Sequence, residues 1–318
     1  MEIRNLGTSN LRVSLVGLGC NNFGVRTDFE AARKVVQKAL DLGITLFDTA
    51  DIYGKGTSET FLGEILRGRR DEIVLATKFG MPMDEARGLV GASRGYIMAA
   101  AEASLKRLQT NYIDLYQLHR PDPLIPVEET LRALDDLIQQ GKVRYIGCSN
   151  LTASQVVDAQ TTADTRGLNS FISCQDEYSL VNRDIERELF PVMQTLRLGL
   201  LPFFPLASGL LTGKYKRGQL PSQGTRFATT PKFLETHGND ANFAIAEKLE
   251  AFTVARGHTL LELAFSWLAA RPQVASVIAG ATTPQQIEQN VTAPTWKLTA
   301  EEIAEVDLLT RPAQERTE

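Results

Sequence analysis

The chain has 318 residues, of which 43% are hydrophobic and 23% charged, so it is long enough to bury a large globular core. Its formal net charge is −4 and its densest basic stretch is 67-RGRR-70, which argues against nucleic acid or an anionic membrane as the main partner. The amino terminus has no apolar signal core, and no apolar run approaches the roughly 20 residues of a membrane span.

Residues 2–14 come first and are typical of a short hairpin around 7-GTSN-10, which we expect to plug the bottom of the fold. After it, short apolar runs alternate with longer segments of helical periodicity. The runs are 14-SLVGLG-19, 44-ITLFD-48, 72-EIVLATK-78, 112-YIDLYQLH-119, 143-VRYIGCSN-150, 170-SFISCQ-175, 199-GLLPFFPL-206 and 274-VASVIAG-280. Such alternation predicts a parallel sheet that helices cover on its outer face.

The segments between the runs carry helix signals. Residues 28–43 start at the acidic cap candidate Asp28 and stop at Gly43. A second segment, 125–142, places Pro126 near its start and Gly141 at its end, as helix termini prefer. Three further helices are predicted over 57–68, with a cap at Thr57 or Ser58, and, from weaker patterns, over 94–108 and 152–160.

Eight strand–helix units favour a closed (β/α)₈ barrel over an open doubly wound sheet. An open sheet would also carry a GxGxxG loop after its first strand, whereas this chain has GLGCNNFG there. We see no interdomain linker and expect residues 1–318 to form a single domain. The region 207–239 is too long for an ordinary connection, which predicts a functional loop.

Polar residues stand where the predicted strands end, and in such barrels the catalytic groups lie at those ends. The residues there are Cys20, Asn21, Asp48, Lys78, His119, Ser149, Asn150, Gln175, Ser208 and Thr282. Taken alone, Asp48 could cap a turn, Lys78 could be a solvated charge and His119 a loop histidine. Tyr53 could pack its ring on Gly54. Their joint occurrence around strands two, three and four favours one shared site.

Four of these residues have the chemistry of a proton donor. Lys78 would lower the pKa of the Tyr53 phenol from its usual value near 10, and Asp48 would keep that ammonium charged and in place. His119 can hydrogen-bond a carbonyl oxygen and orient it. No serine or cysteine is visibly paired with a base, so no nucleophile is apparent. A hydride must complete such a reaction, and since no side chain supplies one, a cofactor is implied.

The three cysteines, Cys20, Cys148 and Cys174, form no CxxC pair. They predict small buried thiols and a reducing cytoplasm. Sequence spacing shows no metal constellation.

Seven segments together carry a family resemblance: 46-LFDTADIYG-54, 76-ATK-78, 113-IDLYQLHRPDP-123, 145-YIGCSN-150, 174-CQDEYS-179, 203-FFPLASGLLTGKY-215 and 280-GATTPQQIEQN-290. From Val13 to about Asn290 the chain resembles the aldo-keto reductases. The resemblance implies a (β/α)₈ barrel with NADPH extended across its rim and a small carbonyl compound as substrate. It also implies a catalytic tetrad of Asp48, Tyr53, Lys78 and His119, with Tyr53 as general acid.

The resemblance also implies cofactor contacts. Those at the nicotinamide end are Cys20, Asn21, Asp48, Ser149, Asn150 and Gln175, with Phe203 stacked on the ring. Those of the long loop over the pyrophosphate are Pro205, Leu206, Ser208, Lys214 and Arg226. Those at the adenosine end are Gly280, Thr282, Gln286 and Asn290.

Several positions depart from the common family pattern. Many members grip the 2′-phosphate with Lys-Ser and a later Arg, where this chain has Gly280, Ala281 and Gln286. A branch that includes potassium-channel β-subunits has a similar set and takes NADP, so we expect NADPH, with NADH possible. Asn21 replaces a tryptophan that often forms the substrate wall. A short tail after Leu309 predicts a pocket more open than in members with long tails.

Two functions of different class follow. The first is an NADPH-dependent reductase of aldehydes or small ketones. The second is an NADP(H)-binding regulatory or redox-sensing module with low turnover, and the complete quartet favours the enzyme. A barrel hydrolase or isomerase of another kind is disfavoured because metal ligands and a carboxylate pair are missing. The residues leave the oligomeric state and the direction of the reaction open.

Overall fold

The computed structural model describes residues 1–310 of the chain. It begins with two short antiparallel strands, and eight parallel strands follow them. The hairpin strands are β1 (Ile3–Asn5) and β2 (Arg12–Ser14). The parallel strands are β3 (Val16–Gly19), β4 (Leu46–Asp48), β5 (Val74–Phe79), β6 (Ile113–Leu118), β7 (Val143–Ser149), β8 (Ser173–Gln175), β9 (Gly199–Leu200) and β10 (Val277–Gly280).

Helices follow most of the strands and cover the outside of the sheet. They are α1 (Phe29–Asp41), α2 (Thr57–Ile65), α3 (Arg94–Leu108), α4 (Val127–Gln139), α5 (Ala153–Arg166), α6 (Leu189–Leu196), α7 (Arg226–Thr229), α8 (Pro231–His237), α9 (Asp240–Val254), α10 (Leu260–Ala269), α11 (Pro284–Thr292) and α12 (Ala300–Thr310). Within residues 1–310, none of these helices has both the length and the apolar character needed to cross a membrane.

The eight parallel strands close into a ring. They are hydrogen-bonded in the order β10, β3, β4, β5, β6, β7, β8, β9. The two ends of this order meet where the amide of Leu200 donates to the carbonyl of Gln273 at 2.7 Å, and the amide of Ala275 donates to the carbonyl of Leu200 at 3.0 Å. The predicted (β/α)₈ barrel is therefore confirmed, although most strands are shorter than the apolar runs that predicted them.

The hairpin closes one end of the barrel, as predicted. Leu6, Leu11 and Val13 form a buried cluster with side chains from the barrel interior, namely Leu46, Ala76, Leu115, Leu201, Ala275 and Ile278. Gly7, in the hairpin turn, has a φ of +59°, and a Cβ there would lie 2.7 Å from the carbonyl oxygen of Ile172. Glycine is required because the turn lies directly against barrel backbone.

Most helix termini match the sequence signals, and one does not. The Asp28 carboxylate accepts a hydrogen bond from the amide of Ala31 at 2.8 Å, which confirms the cap of α1. The predicted cap of α2 at Thr57 or Ser58 is wrong, because the capping position is Gly56, with a φ of +91°. The hydroxyl of Ser58 instead donates to the carbonyl of Cys20 at 3.0 Å and ties α2 to the end of β3.

Two other segments are more ordered than the sequence patterns predicted. Helix α5 begins at a capping box of Thr152 and Gln155 and runs to Arg166, where Gly167, with a φ of +64°, ends it. The region 207–239 holds a 3₁₀ turn over Ala207–Thr212 as well as helices α7 and α8. The predicted effect of the tail after Leu309 lies outside the described residues, except for Thr310.

The close contact of α2 with α3 depends on Gly63. A Cβ at this position would lie 2.4 Å from the carbonyl oxygen of Arg107 and 2.9 Å from the Cα of Leu108. Backbone cannot move aside as a side chain can, so we expect Gly63→Ala to lower the free energy of unfolding by about 1–3 kcal/mol in urea titrations. Gly95→Ala is the control, since a Cβ there meets nothing within 4 Å. Equal effects of the two substitutions would contradict this packing argument.

Candidate active site

A cavity of about 1000 Å³ opens at the carboxyl ends of the barrel strands. Parallel strands bring their carboxyl ends to one rim, so residues distant in sequence meet there. Nearly all the predicted site residues line this cavity, namely Asn21, Asp48, Tyr53, His119, Ser149, Asn150, Gln175, Phe203, Pro205, Leu206, Ser208, Lys214, Arg226, Gly280, Thr282, Gln286 and Asn290. Lys78 lies beneath the cavity floor, fully buried.

A buried ion pair forms the base of the site. The Lys78 ammonium donates to Asp48 Oδ2 at 2.6 Å and to the carbonyl oxygen of Thr49 at 2.9 Å. The other carboxylate oxygen, Oδ1, accepts from the side-chain amides of Gln175 at 2.9 Å and Gln117 at 3.2 Å. Burial by itself would lower the pKa of Lys78, but the interactions with the Asp48 carboxylate and the Tyr53 side chain raise it above its ordinary value. The ammonium therefore stays charged.

Tyr53 lies directly beside this pair. The Lys78 nitrogen is 5.2 Å from the centre of the Tyr53 ring, and the His119 ring packs edge-on at 6.0 Å. Burial raises the pKa of the Tyr53 phenol, while Lys78 opposes that effect without overcoming it. The expected net lowering is therefore absent, because desolvation disfavours the phenolate more than one ammonium favours it. At neutral pH the phenol keeps its proton.

His119 is neutral in this environment. Burial, then the positive charges of Lys78 and Arg120, lower its pKa to about 3. Its Nδ1 atom is buried and has no hydrogen-bond partner among residues 1–310. The backbone is held on both sides, since its amide donates to the carbonyl of Phe79 at 2.9 Å and its carbonyl accepts from the side chain of Asn150 at 3.0 Å. The imidazole is therefore uncharged and stands on a firmly held backbone.

Ser149, Asn150 and Gln175 form one hydrogen-bonded group beside His119. The Ser149 hydroxyl donates to the carbonyl of Gln175 at 2.6 Å, and the Asn150 side chain donates to that hydroxyl at 2.9 Å. Asn150 has a φ of +60°, which is uncommon outside glycine. Its backbone amide donates to the Asp176 carboxylate at 3.2 Å, which holds this conformation.

The long loop, residues 207–239, brings one guanidinium and one hydroxyl group to the cavity. The Arg226 Nε and Ser208 Oγ atoms are buried and have no hydrogen-bond partner among residues 1–310. Burial and the charge of Arg26 lower the pKa of Arg226 to about 10. The guanidinium lies over the ring of Phe233 at 5.0 Å. An uncompensated guanidinium of this kind suits an anionic ligand.

The opposite end of the cavity is formed by β10 and α11. Gly280 packs closely on the loop after β3, since a Cβ there would lie 3.1 Å from the side-chain nitrogen of Asn22. Gln286 accepts from the amide of Thr282 at 2.8 Å, and Thr283 caps α11. The free amides of such a helix start favour a phosphate group nearby.

One predicted contact residue lies apart from the cavity, and several residues that were not predicted hold or line the site. Cys20 does not line the cavity, because its thiol lies in the core and donates to the carbonyl of Leu18 at 3.6 Å. Sequence reasoning missed Gln117 and Asp176, which hold Asp48 and Asn150. Both lie in segments that carry the family resemblance, 113–123 and 174–179. A polar residue within a fully buried strand was the available signal for Gln117. Other lining residues that it missed include Asn22, Arg26, Met81, Arg120, Phe204 and Glu262.

The donor set fits a long anionic dinucleotide. It combines buried unpaired polar atoms, an uncompensated guanidinium, a helix start at one end and the Phe203 ring at the other. Within residues 1–310, no group of three or more His, Cys, Asp or Glu side chains could hold a metal ion.

The closed parallel barrel, with a buried Lys–Asp pair, a tyrosine and a neutral histidine at its rim, defines a (β/α)₈-barrel oxidoreductase. The chain belongs to the Aldo/keto reductase family, whose model matches residues 15–311. This membership confirms the resemblance that the sequence segments indicated.

Three relatives extend this placement. A probable voltage-gated potassium channel subunit beta of Arabidopsis thaliana is 38% identical, with 92% of this chain and 91% of the relative covered. An uncharacterized oxidoreductase, YrpG, of Bacillus subtilis is 37% identical, with 92% and 91% covered. The L-glyceraldehyde 3-phosphate reductase of Escherichia coli O157:H7 is 35% identical, with 96% and 92% covered.

The Asp176 carboxyl provides a pH-dependent test of this site. Burial raises its pKa to about 7, whereas the unfolded chain ionises near pKa 3.9. Between about pH 4 and about pH 7 the folded protein keeps a proton that the unfolded chain has lost, so stability falls as the pH rises. Asparagine does not titrate. As the pH rises across that interval, we therefore expect the free energy of unfolding of Asp176→Asn to increase by roughly 2–4 kcal/mol relative to that of wild type.

Urea titrations at several pH values measure this gain. Asp51, whose pKa is also raised to about 7, is present in both proteins and cancels in the difference. The exposed Asp158→Asn is the control and should show a constant difference from wild type. A difference for Asp176→Asn that does not change with pH would contradict the prediction.

Proposed function

We propose that this protein is an NADPH-dependent reductase that converts aldehydes or small ketones to alcohols, with Tyr53 as the general acid. The observation that carries the proposal is the buried Lys78–Asp48 pair beside a protonated phenol and a neutral imidazole. Family membership and relatives named as oxidoreductases support it.

The four side chains have separate roles in the transfer of one proton to the substrate. Neutral His119 and the Tyr53 hydroxyl hydrogen-bond the carbonyl oxygen of the substrate and hold it in place. Tyr53 then gives its proton to that oxygen as negative charge develops on it. Lys78 stabilises the phenolate left behind, and Asp48 keeps Lys78 charged and oriented. The nicotinamide cofactor, when bound, would supply the hydride.

The cofactor assignment rests on the lining of the cavity. Ser149, Asn150 and Gln175 would hold the nicotinamide amide, and Phe203 would support the ring. Ser208, Lys214 and Arg226 would meet the pyrophosphate, and the start of α11 would meet the adenosine phosphate. We favour NADPH because Gly280, Thr282, Gln286 and Asn290 resemble the set in the potassium-channel β-subunit branch. We keep NADH as a second cofactor because neither Gly280 nor Ala281 is a lysine.

We propose that residues 1–318 form one catalytic domain and that the protein works in the cytoplasm. The Cys148 and Cys174 sulfurs lie 3.7 Å apart as free thiols, which suits a reducing compartment.

A second candidate is a nucleotide-binding regulatory module with low turnover. It draws on the relatives named as probable potassium channel β-subunits. The complete set of Asp48, Tyr53, Lys78 and His119 favours the enzyme, since a binding module has no need of a proton donor.

Tyr53→Phe removes the proposed acid and leaves the ring. We expect kcat for a reactive aldehyde, followed by loss of NADPH absorbance, to fall by about 10²–10⁴ while NADPH still binds. Tyr112→Phe, at a half-buried tyrosine outside the cavity whose hydroxyl donates to Asp71, should keep wild-type turnover. If wild type binds NADPH and reduces no aldehyde from a broad panel, the regulatory module is correct instead.

Lys78→Met removes the ammonium that stabilises the phenolate. We expect turnover to fall by at least about 10²-fold with cofactor affinity kept, as measured by quenching of protein fluorescence. Since this change leaves Asp48 buried without its partner, the double variant Asp48→Asn/Lys78→Met provides a folded comparison. Wild-type turnover in either variant would disprove the role given to Lys78.

A further inference from the structure

The cavity carries more positive charge than its own carboxylates can balance. Its ionisable lining consists of Arg26, Arg120, Lys214, Arg226, Asp48, Tyr53, His119 and Glu262. Both acids are already engaged. Asp48 is bonded to Lys78, and Glu262 accepts from the amide of Thr259 at 2.7 Å, where it caps α10. No free carboxylate in the lining therefore faces the arginines.

Three of the four cations have another role. Lys214 and Arg226 belong to the proposed cofactor contacts. Arg26 donates to the carbonyl of Gly224 at 2.8 Å and so joins the loop after β3 to the long loop. Arg120 differs from these, because its exposed guanidinium has no hydrogen bond and no ion pair with any of residues 1–310.

Arg120 lies next to the reacting end of the cavity. It follows His119 directly and lines the same cavity as His119 and Tyr53. It comes after β6, and none of the proposed cofactor contacts lies at the end of that strand.

The backbone that carries Arg120 is held firmly. On one side, His119 is bonded to Phe79 and Asn150. On the other side, the Asp122 carboxylate accepts from the amides of Ala92 and Leu124, each at 2.9 Å. A braced backbone lowers the entropy cost of binding a ligand through this side chain.

We propose that Arg120 binds an anionic group of the substrate, a carboxylate or a phosphate, so that the preferred substrates are aldehydes carrying such a group near the carbonyl. A guanidinium suits either anion, since its planar fork donates two parallel hydrogen bonds. This inference rests on the proposed reductase function and adds the class of substrate to it.

Matched pairs of aldehydes test the proposal. Succinic semialdehyde against butanal gives the carboxylate comparison, and glycolaldehyde phosphate against glycolaldehyde gives the phosphate comparison. Values of kcat/KM with NADPH are measured for wild type, Arg120→Gln, Arg120→Lys and Arg187→Gln. Arg187 is the control because it is exposed and lies outside the cavity, and its substitution changes the net charge equally.

We expect wild type to prefer the charged member of at least one pair by about tenfold or more, and the pair that shows it identifies the anion. Arg120→Gln should lower kcat/KM for that charged aldehyde about tenfold more than for its neutral partner. Arg120→Lys should keep part of the preference, Arg187→Gln should keep all of it, and added salt should weaken it.

Two results would overturn the inference in distinguishable ways. If wild type reduces the neutral aldehydes and the charged ones equally well, or Arg120→Gln keeps the preference, Arg120 does not bind an anion and the proposed function stands. If wild type binds NADPH and reduces none of the four aldehydes, the proposed function fails and this inference fails with it.

Discussion

The buried ion pair of Lys78 and Asp48 is the constraint on which the rest of the site depends. A buried ammonium without a partner is costly, so the lysine needs a carboxylate at hydrogen-bonding distance. That carboxylate in turn needs donors for its second oxygen, which Gln117 and Gln175 supply. Such a pair contributes little net stability, because desolvation offsets the attraction. Its consequence is orientation, since it holds one positive charge beside Tyr53.

Desolvation by burial also affects the polar residues around the ion pair. Asp51 had no evident role in the sequence, and the structure buries it, with Oδ2 accepting from the Tyr96 hydroxyl at 3.3 Å. Burial, followed by the charge of Glu59, raises the pKa of Asp51 to about 7. Asp176 shows the same effect next to Asn150. The backbone at this rim is also unusual, because the non-glycine residues Phe204, Ala207 and Ser208 have positive φ. Buried acids and unusual backbone of this kind concentrate at functional sites.

Repeating patterns were the reliable part of the sequence. The alternation of apolar runs and helical periodicity predicted the barrel, and helix α3 follows its predicted bounds, 94–108. Strand ends predicted which polar residues share a rim. Strand lengths were less predictable, since the run 199–206 contains a strand over Gly199–Leu200 alone. An apolar run shows that residues are buried, but hydrogen bonds to neighbouring strands decide where the strand stops.

By itself, the sequence determined the barrel and the hairpin plug and marked Asp48, Tyr53, Lys78 and His119 as candidates for one site, because periodicity and residue type are local properties. Only the tertiary structure decided the protonation states, since burial outweighs Lys78 at Tyr53 and keeps His119 neutral. It alone also placed Cys20 in the core and Arg120 on the cavity wall. Desolvation and charge pairing depend on distances between residues far apart in the chain, and no local pattern records those distances.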